Sequence, residues 1–157
     1  MKLLYNTSYK TATITRGTQL LWSSELIRPW FKPANFRISD AAEETVFNFR
    51  RKHSFFSYVF DISFTDTSNR IQAIQYHDSN SKMLINDKLT LSVKNKSWFS
   101  RTRIFYANQR AVGTFLIKGN IFSSKKTIEV SLSNPDLLDY CLILLLIQRN
   151  IRLLKSD

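Results

Sequence analysis

The stretch NPDLLDYCLILLLIQRN, residues 134–150, constrains this chain more than any other. It opens like a helix: Asn134 or Ser133 can cap, Pro135 suits the first position, and Asp136 places an acid in the first turn. From Leu137 to Ile147 the single charge is Asp139, and the apolar residues fill every face instead of one stripe. A helix of that kind must be covered on all sides or lie in a membrane. The apolar run Tyr140–Ile147 is far shorter than the roughly 20 residues that span a bilayer. Something in the rest of the chain must therefore surround it.

The rest of the chain reads as strands, up to about residue 132. Tyr58, Phe60, Ile62 and Phe64 alternate with Val59, Asp61 and Ser63. Leu89, Leu91 and Val93 alternate with Thr90 and Ser92, and Ile104 and Tyr106 with Arg103 and Phe105. Ile128, Val130 and Leu132 alternate with Thr127, Glu129 and Ser131. Period two is the signature of a half-buried strand. Turn residues punctuate the runs at Arg16-Gly17, Asp66–Asn69, Asp78–Ser81, Asn86-Asp87, Asn108-Gln109 and Gly119-Asn120. Pro29 and Pro33 mark the surroundings of Trp30 as a loop or strand edge.

About a dozen short strands and one helix over about 135–150 predict a mainly β (α+β) fold in a single domain, 1–157. The expected architecture is an antiparallel closed barrel around a buried hydrophobic C-terminal helix, since a sheet closed on itself can surround a helix. An ordinary core helix against one sheet face is the alternative.

The charge pattern speaks to partners. Lys and Arg number 23 against 12 Asp and Glu, a net charge of +11. A field of this size favours polyanions: nucleic acid, anionic headgroups or an acidic protein. Two segments concentrate the bases around aromatic pairs. Arg50, Arg51, Lys52 and His53 precede Phe55-Phe56, and forty-three positions later the pattern recurs in Lys94, Lys96, Trp98-Phe99, Arg101 and Arg103. Read as loops, these eleven lysines, arginines and aromatics (Arg50, Arg51, Lys52, Phe55, Phe56, Lys94, Lys96, Trp98, Phe99, Arg101 and Arg103) form a candidate lipid- or anion-binding site. Each Lys or Arg near an anionic surface contributes about 1 kcal/mol. Phe and Trp suit the boundary between headgroups and acyl chains. The aromatics could equally fold back and plug the ends of the sheet. The same ingredients also suit single-stranded nucleic acid, with bases for phosphates and rings for stacking.

The whole pattern resembles the tubby C-terminal domain superfamily: tubby-like proteins, the LURP-one-related proteins and the phospholipid scramblases. The matching stretches are FRISDAAEETVFNFRRKHSFFSYVFDI (36–62), AVGTFLIKG (111–119) and NPDLLDYCLILLLI (134–147). The resemblance implies a barrel enclosing its C-terminal helix and a basic surface for phosphoinositide headgroups. The scramblase variant is not matched, because neither acids at calcium-ligand spacing nor a run of palmitoylation-type cysteines is present.

Catalytic signatures are missing. One cysteine and two histidines cannot make a zinc set, and three glycines supply no phosphate-binding or nucleophile-elbow motif. His77 beside Asp78 reads as a surface turn, and Glu43-Glu44 as a polar turn. Cys141, among Leu142, Ile143 and Leu144, reads as an inert buried thiol. Asp139 is the odd charge of the helix; it is expected at the mouth of the barrel, near the positive end of the helix dipole. The expected protein is thus not an enzyme and needs no metal or cofactor. Its expected partner is an anionic phospholipid surface, with nucleic acid or an acidic protein as alternatives. MKLLYNTSYK has no apolar run of signal-peptide length, and the lone cysteine implies no disulfide. A cytoplasmic protein, peripheral at the inner membrane surface, is expected.

Overall fold

The computed structural model describes residues 1–28, 30–31, 35–42, 45–54, 57–64, 74–77, 81–97, 100–120 and 123–155, with backbone alone for 45–54, 57–64 and His77. Among the described residues twelve strands precede the helix: β1 (Lys2–Thr7), β2 (Thr11–Arg16), β3 (Gln19–Ile27), β4 (Asn35–Asp40), β5 (Thr45–Ser54) and β6 (Ser57–Phe64), then β7 (Ile74–His77), β8 (Lys82–Ile85), β9 (Leu89–Asn95), β10 (Thr102–Ala107), β11 (Arg110–Lys118) and β12 (Lys125–Leu132). A 3₁₀ turn, Pro135–Leu137, leads into α1 (Leu138–Lys155). The expected cap is present: Asn134 Oδ1 accepts the Asp136 N–H at 3.0 Å.

Every strand pairs antiparallel with its neighbours in sequence, and β1 pairs with both β2 and β12. The ladder is continuous from β7 through β12 and β1 round to β6. Between β6 and β7, Asp61 opposite His77 is the one pair in register among the described residues.

The turns follow from local chemistry. Asn86-Asp87 and Asn108-Gln109 hold positive φ, the left-handed pairs that a tight hairpin of matching twist needs. Asn108 Oδ1 also accepts the Thr90 N–H at 2.9 Å, tying its turn to β9. At Gly113 in β11 an added Cβ would lie 2.4 Å from both Leu132 Cδ2 and the Ser131 carbonyl, so only glycine lets β12 approach there.

Seven successive helix residues, Cys141 to Ile147, are at most 5% exposed. At about 100° per residue they point in every direction, so apolar cover surrounds that length of α1. The helix lies close to β3 and β4 and to β9, and β3 and β9 are half the strand order apart. The core pairs the helix with inward residues of both arcs, among them Trp22, Ile38, Met83, Leu91, Phe105 and Phe115.

Several expectations change. His53, Arg50, Arg51 and Lys52 are not in a loop: β5 runs to Ser54, and the ladder pairs His53 with Tyr58 and Lys52 with Val59. Long hairpin arms with a two-residue connection leave little room for a basic loop. His77 ends β7, opposite Lys82, where a surface turn was expected. In β10 the fully buried ring is Phe105, while Ile104 and Tyr106 are half-buried. Glu43-Glu44, Asp66–Asn69 and Asp78 lie outside the described residues.

Candidate functional site

Alternating strand direction sorts the connections onto two ends. The links β1–β2, β3–β4, β5–β6, β7–β8, β9–β10 and β11–β12 share one end, and the others share the opposite one. β12 finishes at the second end, α1 starts there, and its last turns emerge at the first. Both basic segments picked out by sequence therefore belong to one end, the end of the helix C-terminus.

The chemistry of the two ends differs. The helix-start end carries the polar turns Asn86–Lys88 and Asn108-Gln109, with Asp136 and Asp139 in the first helical turns. The opposite end gathers Lys96 and Arg101 from the β9–β10 connection, Arg28 after β3, and Arg149, Arg152 and Lys155 from α1. Acids at the helix start and bases at its finish both complement the helix dipole.

Trp30 and Phe31, in the β3–β4 connection, stand at the basic end with 96% and 97% of their surfaces exposed. Beside them Tyr9, in the β1–β2 turn, is 56% exposed and packs its ring against the Arg28 guanidinium at 5.1 Å. Reading the sequence as a prolyl loop found the loop but not the exposure of its aromatics; the signal was the dipeptide Trp-Phe between Pro29 and Lys32.

The expected site residues divide. Lys94 is in β9, its Nζ over the Tyr106 ring at 5.6 Å. Lys96 and Arg101 are exposed in the connection, and Arg101 Nη1 donates to the Gly119 carbonyl at 2.8 Å. Arg50, Arg51 and Lys52 belong to β5, where the backbone alone is described. Phe55, Phe56, Trp98 and Phe99 lie outside the described residues.

Arg103 differs most from expectation. It is a strand residue, opposite Asn95, and its side chain turns into a cleft below the basic end. One lobe, about 270 Å³, is lined by Tyr5, Thr7, Arg103, Ile117, Lys126, Ile128, Leu145, Arg149, Arg152 and Leu153. A second, about 210 Å³, shares Arg103, Ile117, Lys126 and Arg152 and adds Asn95, Ser100, Arg101 and Gly119. Among the described residues, none that lines either lobe is acidic. Burial lowers the Arg103 pKa from its ordinary value, and the nearby Arg152 charge lowers it further. Burial raises the Tyr5 hydroxyl, which the arginines around it partly oppose. Arg149 is held from the other side, donating to the carbonyls of Ser8 and, at 3.1 Å, Thr11.

Elsewhere the described residues offer little chemistry. Burial pushes the Cys141 thiol up to about 12. No group of three or more His, Cys, Asp or Glu that could hold a metal occurs among the described residues. No described helix is long and apolar enough to cross a membrane. Scans against protein-family models, curated proteins and solved structures gave no match.

Proposed function

We propose that this chain is a non-catalytic binding module that rests its basic end on an anionic phospholipid surface. The observation that carries the reading is the pair Trp30 and Phe31, almost wholly exposed at the end that also holds Lys96, Arg101 and Arg28. Two adjacent rings left almost wholly in water, where no other large apolar side chain among the described residues exceeds 56% exposure, suit an interface with lipid. Lysine and arginine beside them supply the attraction to anionic headgroups, about 1 kcal/mol each at the surface.

On the same reading the fold is of the tubby-like kind, with the sheet closed at the β6–β7 seam around α1. Burial of α1 on every side supports it, as does the meeting of β1 with β12.

Flotation with vesicles of phosphatidylcholine, with and without phosphatidylserine, tests the function. Wild-type protein should float with the anionic vesicles and detach as salt rises. Lys94→Glu with Lys96→Glu should abolish flotation, and Trp30→Ala with Phe31→Ala should weaken it with less dependence on salt. Binding of single-stranded RNA in place of vesicles would favour the nucleic-acid reading instead. Failure to bind either would leave the exposed rings unexplained and refute the proposal.

A further inference from the structure

The cleft beneath the basic end is lined by residues other than Trp30 and Phe31, and its lining asks for a partner of its own. Arg103, Lys126 and Arg152 line both lobes, and no side-chain hydrogen bond or ion pair joins any of the three to another described residue. Basic residues kept only for solubility would project into water. Arg103 instead points inward from a strand, against Ile117, Ile128 and Leu145. Arg152 is exposed and Lys126 half-buried, but both face Arg103, and holding a partly desolvated guanidinium beside like charges is unfavourable without an anion.

We infer that this cleft binds the phosphate group of a small phosphorylated anion, held by Arg103, Lys126 and Arg152 with the Tyr5 hydroxyl as a further donor. Guanidinium groups present two parallel N–H donors that match phosphate oxygens. The Tyr5 hydroxyl, protonated at neutral pH with burial raising its pKa further, can donate. Arg149, fastened to the β1–β2 turn, and Arg101, fastened to Gly119, form fixed cationic walls. The apolar floor of Ile117, Ile128, Leu145 and Leu153 weakens screening and strengthens each charge-assisted bond. The phosphate could belong to a soluble phosphoester or to a lipid headgroup. The inference does not rest on the membrane reading, because the cleft could bind a soluble anion if no vesicle bound.

Calorimetric titration and thermal unfolding with pyrophosphate, against sodium chloride of matched ionic strength, test it. Wild-type protein should bind pyrophosphate and unfold at higher temperature in it than in chloride. Arg103→Met and Arg152→Met should each weaken binding about tenfold or more, by removing a charge-assisted pair. Without ligand, Arg152→Met should be at least as stable as wild type, because it relieves repulsion on Arg103; a merely structural arginine would cost stability when removed. Should Arg103→Met fail to fold, Arg152→Met and Lys126→Met carry the test. No pyrophosphate binding at millimolar concentration overturns the inference, as does binding unchanged in Arg152→Met and Lys126→Met. A vesicle arm identifies the source: displacement from phosphatidic acid vesicles by pyrophosphate points to a lipid headgroup, and pyrophosphate binding without vesicle attachment points to a soluble phosphoester.

Discussion

The indole N–H of Trp22 donates to the carboxylate of Asp139 at 2.8 Å, joining β3 to the first turn of α1. Trp22 is fully buried in the core, whereas Asp139 is half-buried where the helix begins. The single acid in the apolar run thus has two physical reasons to be there: it receives a buried donor, and it faces the positive end of the helix dipole. Trp22→Phe should lower stability by about 2–4 kcal/mol, from the lost bond to a charged acceptor and the space left by the smaller ring. Asp139→Asn, which keeps a carbonyl oxygen, should cost less, about 1–2 kcal/mol. Urea denaturation of both single variants and the double variant would give the coupling between them. Additive losses would mean that this bond contributes nothing of its own.

Enclosure of the helix can be tested at two kinds of position. Leu144→Asp puts a charge where no solvent reaches and should prevent folding. Gly113→Ala meets Leu132 and the Ser131 carbonyl, so β11 and β12 must separate. A cost of about 1–3 kcal/mol is expected, typical of overpacking. Circular dichroism melts would show both effects. An unchanged melting temperature in Gly113→Ala would mean that the two strands do not pack as closely as described.

Cys141 should behave as an inert thiol. With burial raising its pKa to about 12, it should resist iodoacetamide at pH 8 until the chain is unfolded. The same shift predicts a pH dependence. The unfolded thiol ionises near its ordinary value of 9.0 while the folded one holds its proton. Stability from this group is therefore complete below about pH 9 and is lost as pH rises towards 12. Tyr5, also raised by burial, acts in the same direction at higher pH. Cys141→Ala should flatten the alkaline loss measured by urea titration between pH 8 and 10. Equal slopes in the two proteins would show that the thiol is accessible to water.

Sequence periodicity shows that a segment is a strand more readily than it shows which face is buried. In β10 both faces carry apolar residues, so alternation alone could not choose between Ile104 with Tyr106 and Phe105 with Arg103. The register shift between Phe105 and Tyr106 further disturbs the simple alternation. The helix and its Asn134 cap were legible because an all-round apolar run admits few solutions. The cleft was not, since Arg103, Lys126 and Arg152 are separated in sequence and meet only once strand direction brings those stretches to one end. The β5 bases looked like a loop because a basic, serine-bounded run has turn-like composition, while cross-strand pairing carries β5 to Ser54.

The proposed contact of the basic end with lipid is measured most directly by tryptophan quenching with brominated phosphatidylcholine. A Trp98→Phe background leaves Trp22, buried in the core, and Trp30, 96% exposed, as the two fluorophores. Quenching by bromine on the acyl chains reports contact with the membrane interior. In vesicles that also contain phosphatidylserine, the background protein should be quenched, and a further Trp30→Phe change should remove nearly all of that quenching. Without phosphatidylserine there should be little quenching, because the bases must first hold the protein at the surface. Quenching that persists after Trp30→Phe, or no quenching of vesicle-bound protein, would contradict the account of Trp30 and Phe31 as the residues that enter the membrane.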